Sequence, residues 1–102
     1  MSIIKENSIV IAYLETPKER YFGVILKLHP SGLIIRGLNV ESFNTWIIEV
    51  NGGKKGTAIS TFFFPWRRVE KIILDEDRDG AESLACTFKK RTGKDVEEFL
   101  LP

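Results

Sequence analysis

The sequence contains no glutamine, one cysteine and one histidine, and its charges nearly cancel. Cys86 standing alone excludes an internal disulfide and a multi-cysteine metal site, and it points to a reducing compartment, with the cytoplasm as the expected location. His29 lies against a turn proline with no cysteine, serine and carboxylate set at a triad spacing, which makes it a turn residue. With 15 basic and 14 acidic residues the net charge is +1, so no global field draws the molecule to nucleic acid or to an anionic membrane, and any such attraction must be local. No apolar run approaches the roughly 20 residues of a membrane span, and the opening Met-Ser-Ile-Ile-Lys-Glu-Asn lacks the basic-then-apolar build of a signal peptide. The missing glutamine, beside plentiful Lys, Arg and Glu, fits a thermophilic source, because amides are thermolabile and ion-pair networks gain value when hot. There is no internal repeat. No carboxylate pair, metal-ligand cluster or nucleophile with its base can be assembled, so the expectation is a protein without enzymatic activity and without a cofactor.

What is present describes one packed domain over 1–102. Apolar residues make up 43% and charged residues 28%, ordinary globular values, and at this length about two-thirds of the unfolded surface is buried around a single core. Ser8 to Leu14 is β-branched and aromatic and apolar on both alternating faces, a strand covered on both sides. Tyr21 to Leu28 places Phe22, Val24, Leu26 and Leu28 on one face at period 2, with Gly23 marking a bend or bulge. His29-Pro-Ser-Gly32 is a type I turn signal, so Leu33 to Arg36 returns antiparallel. Beyond Gly37, Val40, Phe43, Trp46, Ile47 and Val50 fall at spacings of three and four, a helix capped by Asn39 and ended by Asn51-Gly-Gly. The stretch Ile59 to Leu74 holds the densest aromatic run and is expected to form the centre of the fold. Pro65 lacks an N–H, so the strand through Phe64 stops there and a fifth strand starts near Arg68. Glu82 to Arg91 is a second helix stopped by Gly93, and Asp95 is expected to cap a last segment carrying Val96, Phe99 and Leu100. The fold class is mainly β with helices (α+β): a five-stranded bent antiparallel small barrel, SH3-like or Sm-like, with a helix inserted between the third and fourth strands and C-terminal helices.

Three groups of residues are candidates for function. Trp66, Arg67, Arg68 and Lys71 combine a base-stacking surface with cations, as single-stranded nucleic-acid sites do, although Trp66 plugging the barrel end and arginines paired with Glu70 and Asp75 explain them structurally. Phe62, Phe63 and Phe64 alternate faces, so a one-layer core cannot bury all three, and at least one meets the helices or another subunit. Asp75, Asp77 and Asp79 followed by Gly80 reproduce the first half of a calcium loop. Cys86 stands where the bidentate glutamate belongs, and the rival reading is an acidic linker favouring the start of the following helix. The Gly52-Gly-Lys-Lys-Gly56 loop lacks the context of a P-loop and reads as a connector.

With the strands placed, the order of elements resembles the Sm-like superfamily. Ala58-Ile-Ser-Thr-Phe-Phe-Phe-Pro65 is similar to the fourth strand of the bacterial Hfq type, and the likeness covers roughly Ser8 to Leu74. The chain departs from that pattern at Leu28-His-Pro-Ser-Gly-Leu33, where the Asp and Asn of the first Sm motif are missing, and in the inserted helix. The resemblance implies a ring-forming homo-oligomer, fourth strand against the fifth strand of the next subunit, that binds single-stranded RNA. The alternative is a protein–protein adaptor, with the C-terminal helices covering the edge of the fourth strand.

Overall fold

The computed structural model describes residues 3–102. Its strands are β1 (Ile9–Leu14), β2 (Glu19–His29), β3 (Gly32–Asn39), β4 (Ser60–Pro65) and β5 (Val69–Leu74). Its helices are α1 (Phe43–Asn51), entered through a 3-10 turn at Val40–Ser42, then α2 (Leu84–Thr92) and α3 (Glu97–Leu100). The strands form one antiparallel sheet in the order β4-β3-β2-β1-β5. The result is an α+β fold.

The sheet is curled but not closed. In a flat sheet β4 and β5 would lie four spacings apart, about 19 Å. They are joined by a single 3-10 turn, Trp66–Arg68, whose rise is about 2 Å per residue. The sheet must therefore roll until its edges meet across that turn. Phe64 of β4 and Val69, Ile72 and Leu74 of β5 accordingly pack into one cluster with Val10, Ala12, Leu14, Ile25, Leu33 and Ile35. Among the described residues no ladder joins β4 to β5 and none pairs their outer edges.

The opposite face is covered by helices. Phe22, Val24 and Leu38 pack there against Phe43, Trp46, Ile47 and Val50 of α1, Phe88 of α2, and Val96 and Leu100. The centre is Trp46, 1% exposed. Its ring stacks on Phe88 at 4.2 Å, meets Phe99 edge-on at 5.9 Å, and lies 6.1 Å from Phe43 and 6.5 Å from Phe22. The aromatic hub is thus on the inserted helix and not in the Ile59–Leu74 stretch, because a helix docked on a sheet face reaches more neighbours than an edge strand does.

Most expected elements appear, with three local corrections. Both faces of β2 are buried, Phe22 and Val24 toward the helices and Ile25 toward the rolled interior. The ladder shifts between Ile25 and Lys27, which leaves Leu28 39% exposed. Gly23 is not the site of that bulge: it pairs with Gly37, and a Cβ on either would run into the other strand's backbone, the Arg36 carbonyl oxygen for Gly23 and the Phe22 carbonyl oxygen for Gly37. Asp95 does not cap α3, whose N-terminus has no side-chain cap; its carboxylate faces Lys89 Nζ at 3.3 Å. Asn39 does cap as its sequence implies, accepting from the Glu41 N–H at 2.9 Å, and Gly93 ends α2 at φ 77°.

The glycine pair yields a test. Gly37→Ala should lower stability by about 1–3 kcal/mol in urea denaturation, because two backbones must move apart to admit a methyl group. Gly52→Ala, at φ −87° with no atom nearer than 3.5 Å to the added carbon, should be close to neutral.

Candidate functional site

The residues expected to bind RNA lie in the β4–β5 turn and at the start of β5 but do different things. Trp66 is strapped to the β2–β3 hairpin: its indole Nε1 donates to the His29 carbonyl oxygen at 2.8 Å and its backbone N–H to that of Ser31 at 3.4 Å. The His29 imidazole accepts from the Ser31 N–H through Nδ1 at 3.0 Å, a turn role. Trp66 remains 37% exposed. Arg67 is exposed and has no carboxylate within ion-pair distance among the described residues.

Arg68 is committed to structure. Its Nε donates to the Glu15 carbonyl oxygen at 3.2 Å, and Nη2 to that of Pro17 at 2.9 Å and to Glu19 Oε1 at 3.1 Å. A guanidinium is the one side chain that serves three acceptors in a fixed fork, and here it ties the β1–β2 loop to the end of the 3-10 turn. Its ion-pair partner is Glu19, not the expected Glu70 or Asp75. Lys71 sits on the outer face of β5 with Nζ 4.8 Å from the Tyr13 ring centroid, a cation–π contact across the β1–β5 ladder.

The three phenylalanines separate as alternation requires. Phe62 and Phe64 point inward, stacked at 5.7 Å, and both meet Tyr21 at 4.9 Å. Phe63 points outward and is 51% exposed. From Ser60 to Phe64 the free edge of β4 carries no charge.

Comparison with protein-family models, with curated proteins and with solved structures finds no match.

The acidic loop is turned onto the N-terminus of α2. Asp75 accepts from the N–H groups of Leu84 and Ala85, one on each oxygen, at 2.8 and 2.9 Å. Asp77 accepts from Ser83 at 2.7 Å, and Ser83 Oγ accepts from Cys86 at 3.0 Å. The helix's orphan donors are thus met by side-chain oxygens, two of them charged. Asp79 is exposed. Among the described residues no three His, Cys, Asp or Glu side chains gather where they could hold a metal ion. Next to this cap, Glu82 accepts from Lys90 at 2.6 Å and Thr87 at 2.9 Å, which holds its carboxyl below the usual value. Partial burial, then the Glu82 carboxylate 3.6 Å away, push the Cys86 thiol up. That opposes the thiolate a reactive cysteine needs.

Two concavities lie elsewhere on the surface of the described residues. One, of about 560 Å³, lies beside the β1–β2 loop and mixes Lys18 and Arg20 with Glu19, Glu41 and Glu70 around Tyr13. The other, of about 480 Å³, is lined by Arg36, Lys55, Ile59, Glu98, Phe99 and Leu101. Sequence reading passed over the second. Its one signal was an arginine inside the apolar run Leu33-Ile-Ile-Arg-Gly-Leu38, on the face where neighbouring positions are apolar.

Asp75→Ala removes both charge-assisted cap bonds and should destabilise by about 1–2 kcal/mol in thermal or urea melts. Millimolar calcium should leave the melting temperature of the unaltered chain where it is, since binding there would have to displace the helix N–H groups; a rise would overturn the capping role. In alkylation at pH 8, Cys86 should react more slowly than an unperturbed thiol, and Glu82→Gln should speed it up.

Proposed function

We propose that this chain is a non-enzymatic assembly module, a small barrel of the Sm-like or SH3-like kind that joins copies of itself through its two open edges. The observation that carries the reading is the pair of unpaired edges meeting at one turn. β4 and β5 each lack a partner on one side, and β4 has none of the charges, bulges or inward lysines by which edge strands avoid pairing. Proline stands only at its end, and Phe63 lies half-exposed on the outer face. The C-terminal helices pack on α1 and on the outer face of β2 and β3, with Ile59 ahead of β4 beside them, which in this reading leaves the edge from Ser60 to Phe64 to another chain. A β4-to-β5 contact is head-to-tail, and when its rotation closes it forms a ring.

Single-stranded RNA is the ligand class we assign to such an assembly. The support is the exposed Arg67 beside Trp66, whose indole N–H is already satisfied and whose ring is left for stacking. Arg68 positions the loop in this reading, and Lys71 supplies a second cation. A partner protein binding the same edge is the alternative outcome.

Light scattering of the 11.6 kDa chain at tens of micromolar should give a multiple of the monomer mass, and Phe63→Glu should return it to a monomer with its fold intact. A monomer mass for the unaltered chain sinks the assembly reading. Filter binding of mixed single-stranded RNA should fall steeply with salt and weaken further in Arg67→Gln. No retention at low salt removes RNA, and a salt-indifferent protein contact would take its place.

A further inference from the structure

The groove between the β3–β4 ladder and α3 is built differently from the surfaces above. Arg36 projects on the outer face of β3, opposite Thr61 of β4. Its Nη1 reaches Thr61 Oγ1 only at 3.5 Å. Its Nε is buried with no hydrogen-bond partner, the sole side-chain nitrogen or oxygen in that condition among the described residues. Neither Arg36 nor Lys55 has a carboxylate within ion-pair distance among the described residues. Arg36 has lost water at one nitrogen with no carboxylate at bonding distance, although Glu98 and Pro102 line the same groove, and an anion at its exposed end would compensate it.

The walls are held in place before any ligand arrives. The Lys55 carbonyl oxygen accepts from Trp46 Nε1 at 3.0 Å, and Glu49 accepts from the Thr57 N–H and Oγ1 at 3.1 and 2.8 Å. Gly56, at φ +124°, lies so close on the Trp46 ring that a Cβ would strike it. Phe99 is fixed edge-to-face against Trp46 and Phe88. The loop that carries Lys55 and the helix that carries Phe99 therefore share one anchor, the buried indole. At about 480 Å³ the groove is of a size that takes a small ligand.

We propose that this groove binds a nucleoside monophosphate whose base carries an exocyclic amine. The phosphate sits on Arg36 and Lys55, the base against Phe99 and Ile59, and the amine on the Glu98 carboxylate. Two cations call for a phosphomonoester, which carries about −1.5 to −2 charge at neutral pH, in preference to a single carboxylate. A partly buried aromatic ring offers a base its π-face or edge, and a carboxylate accepts from an amine but not from a carbonyl. This site lies near the start of β4, whereas Trp66 follows its end, and it does not depend on assembly.

Amide correlation spectra of the full chain titrated with adenosine 5′-monophosphate test this directly. Saturable shifts are expected at Lys55, Gly56, Thr61 and Phe99, in the unaltered chain and in Phe63→Glu alike. Adenosine and inorganic phosphate should each bind at least about tenfold more weakly, and Lys55→Gln and Arg36→Gln should each cost about tenfold. Uridine 5′-monophosphate should bind more weakly than cytidine 5′-monophosphate, which has the same ring size and carries the amine, and Glu98→Ala should erase that difference. The spectra report folding at the same time, and exposed Lys55 is a position whose loss leaves the core untouched. The proposal is overturned by the absence of shifts at millimolar nucleotide, by shifts centred elsewhere, or by binding that Lys55→Gln leaves unchanged.

Discussion

The structure depends on the burial of one indole. Trp46 is the point at which the outer face of the sheet and all three helices meet, through Phe22, Phe43, Phe88 and Phe99. Removing a buried aromatic of this size costs about 3–5 kcal/mol, against a net stability of about 5–15 kcal/mol for a small domain. The indole N–H is satisfied by the Lys55 carbonyl oxygen, so the same side chain also fixes the connection that leads from α1 into β4. Packing on one face of the sheet thereby sets the position of the strand that carries the open edge, and of the lysine in the Arg36 groove.

A second constraint is the roll of the sheet. Apolar residues from every strand drive it, since a five-stranded sheet with one face against helices has no other cover for the second face. Glycines 23 and 37 let β2 and β3 approach where any side chain would hold them apart. Rolling brings the edges to one turn of each other without giving their backbone groups partners. The core is satisfied by burial, but the edges need directional bonds that only another strand or water supplies.

Charge is spent on holding segments in place. Among the described residues no polar or charged one is fully buried, yet the half-buried Arg68 fastens the β1–β2 loop and Asp75 and Asp77 fasten the start of α2. These bonds are short in reach and specific in direction, so they order loops that have little apolar surface of their own. Arg36 stands apart because its guanidinium is half withdrawn from water without such a partner.

Local order was legible from residues alone. The β-branched run from Ser8 to Leu14 apolar on both faces, the Pro30–Gly32 turn, the three-and-four spacing from Val40 to Val50, Asn39 as a cap and Pro65 as a strand end all act over a few residues, and all stand in the structure. The alternation of Phe62, Phe63 and Phe64 likewise implied that one of them faces outward. Contacts between distant segments were not legible. That Asp75 reaches Leu84 and Ala85, that Arg68 reaches back to Glu15 and Glu19, and that Trp46 rather than the phenylalanine run forms the hub all depend on which faces meet once the sheet rolls. The only trace of Arg36 in the sequence is its place inside an apolar strand; its burial and its groove exist only because β3, the Lys55 loop and α3 converge. Periodicity and capping are properties of neighbours along the chain, whereas a binding groove is a property of neighbours in space.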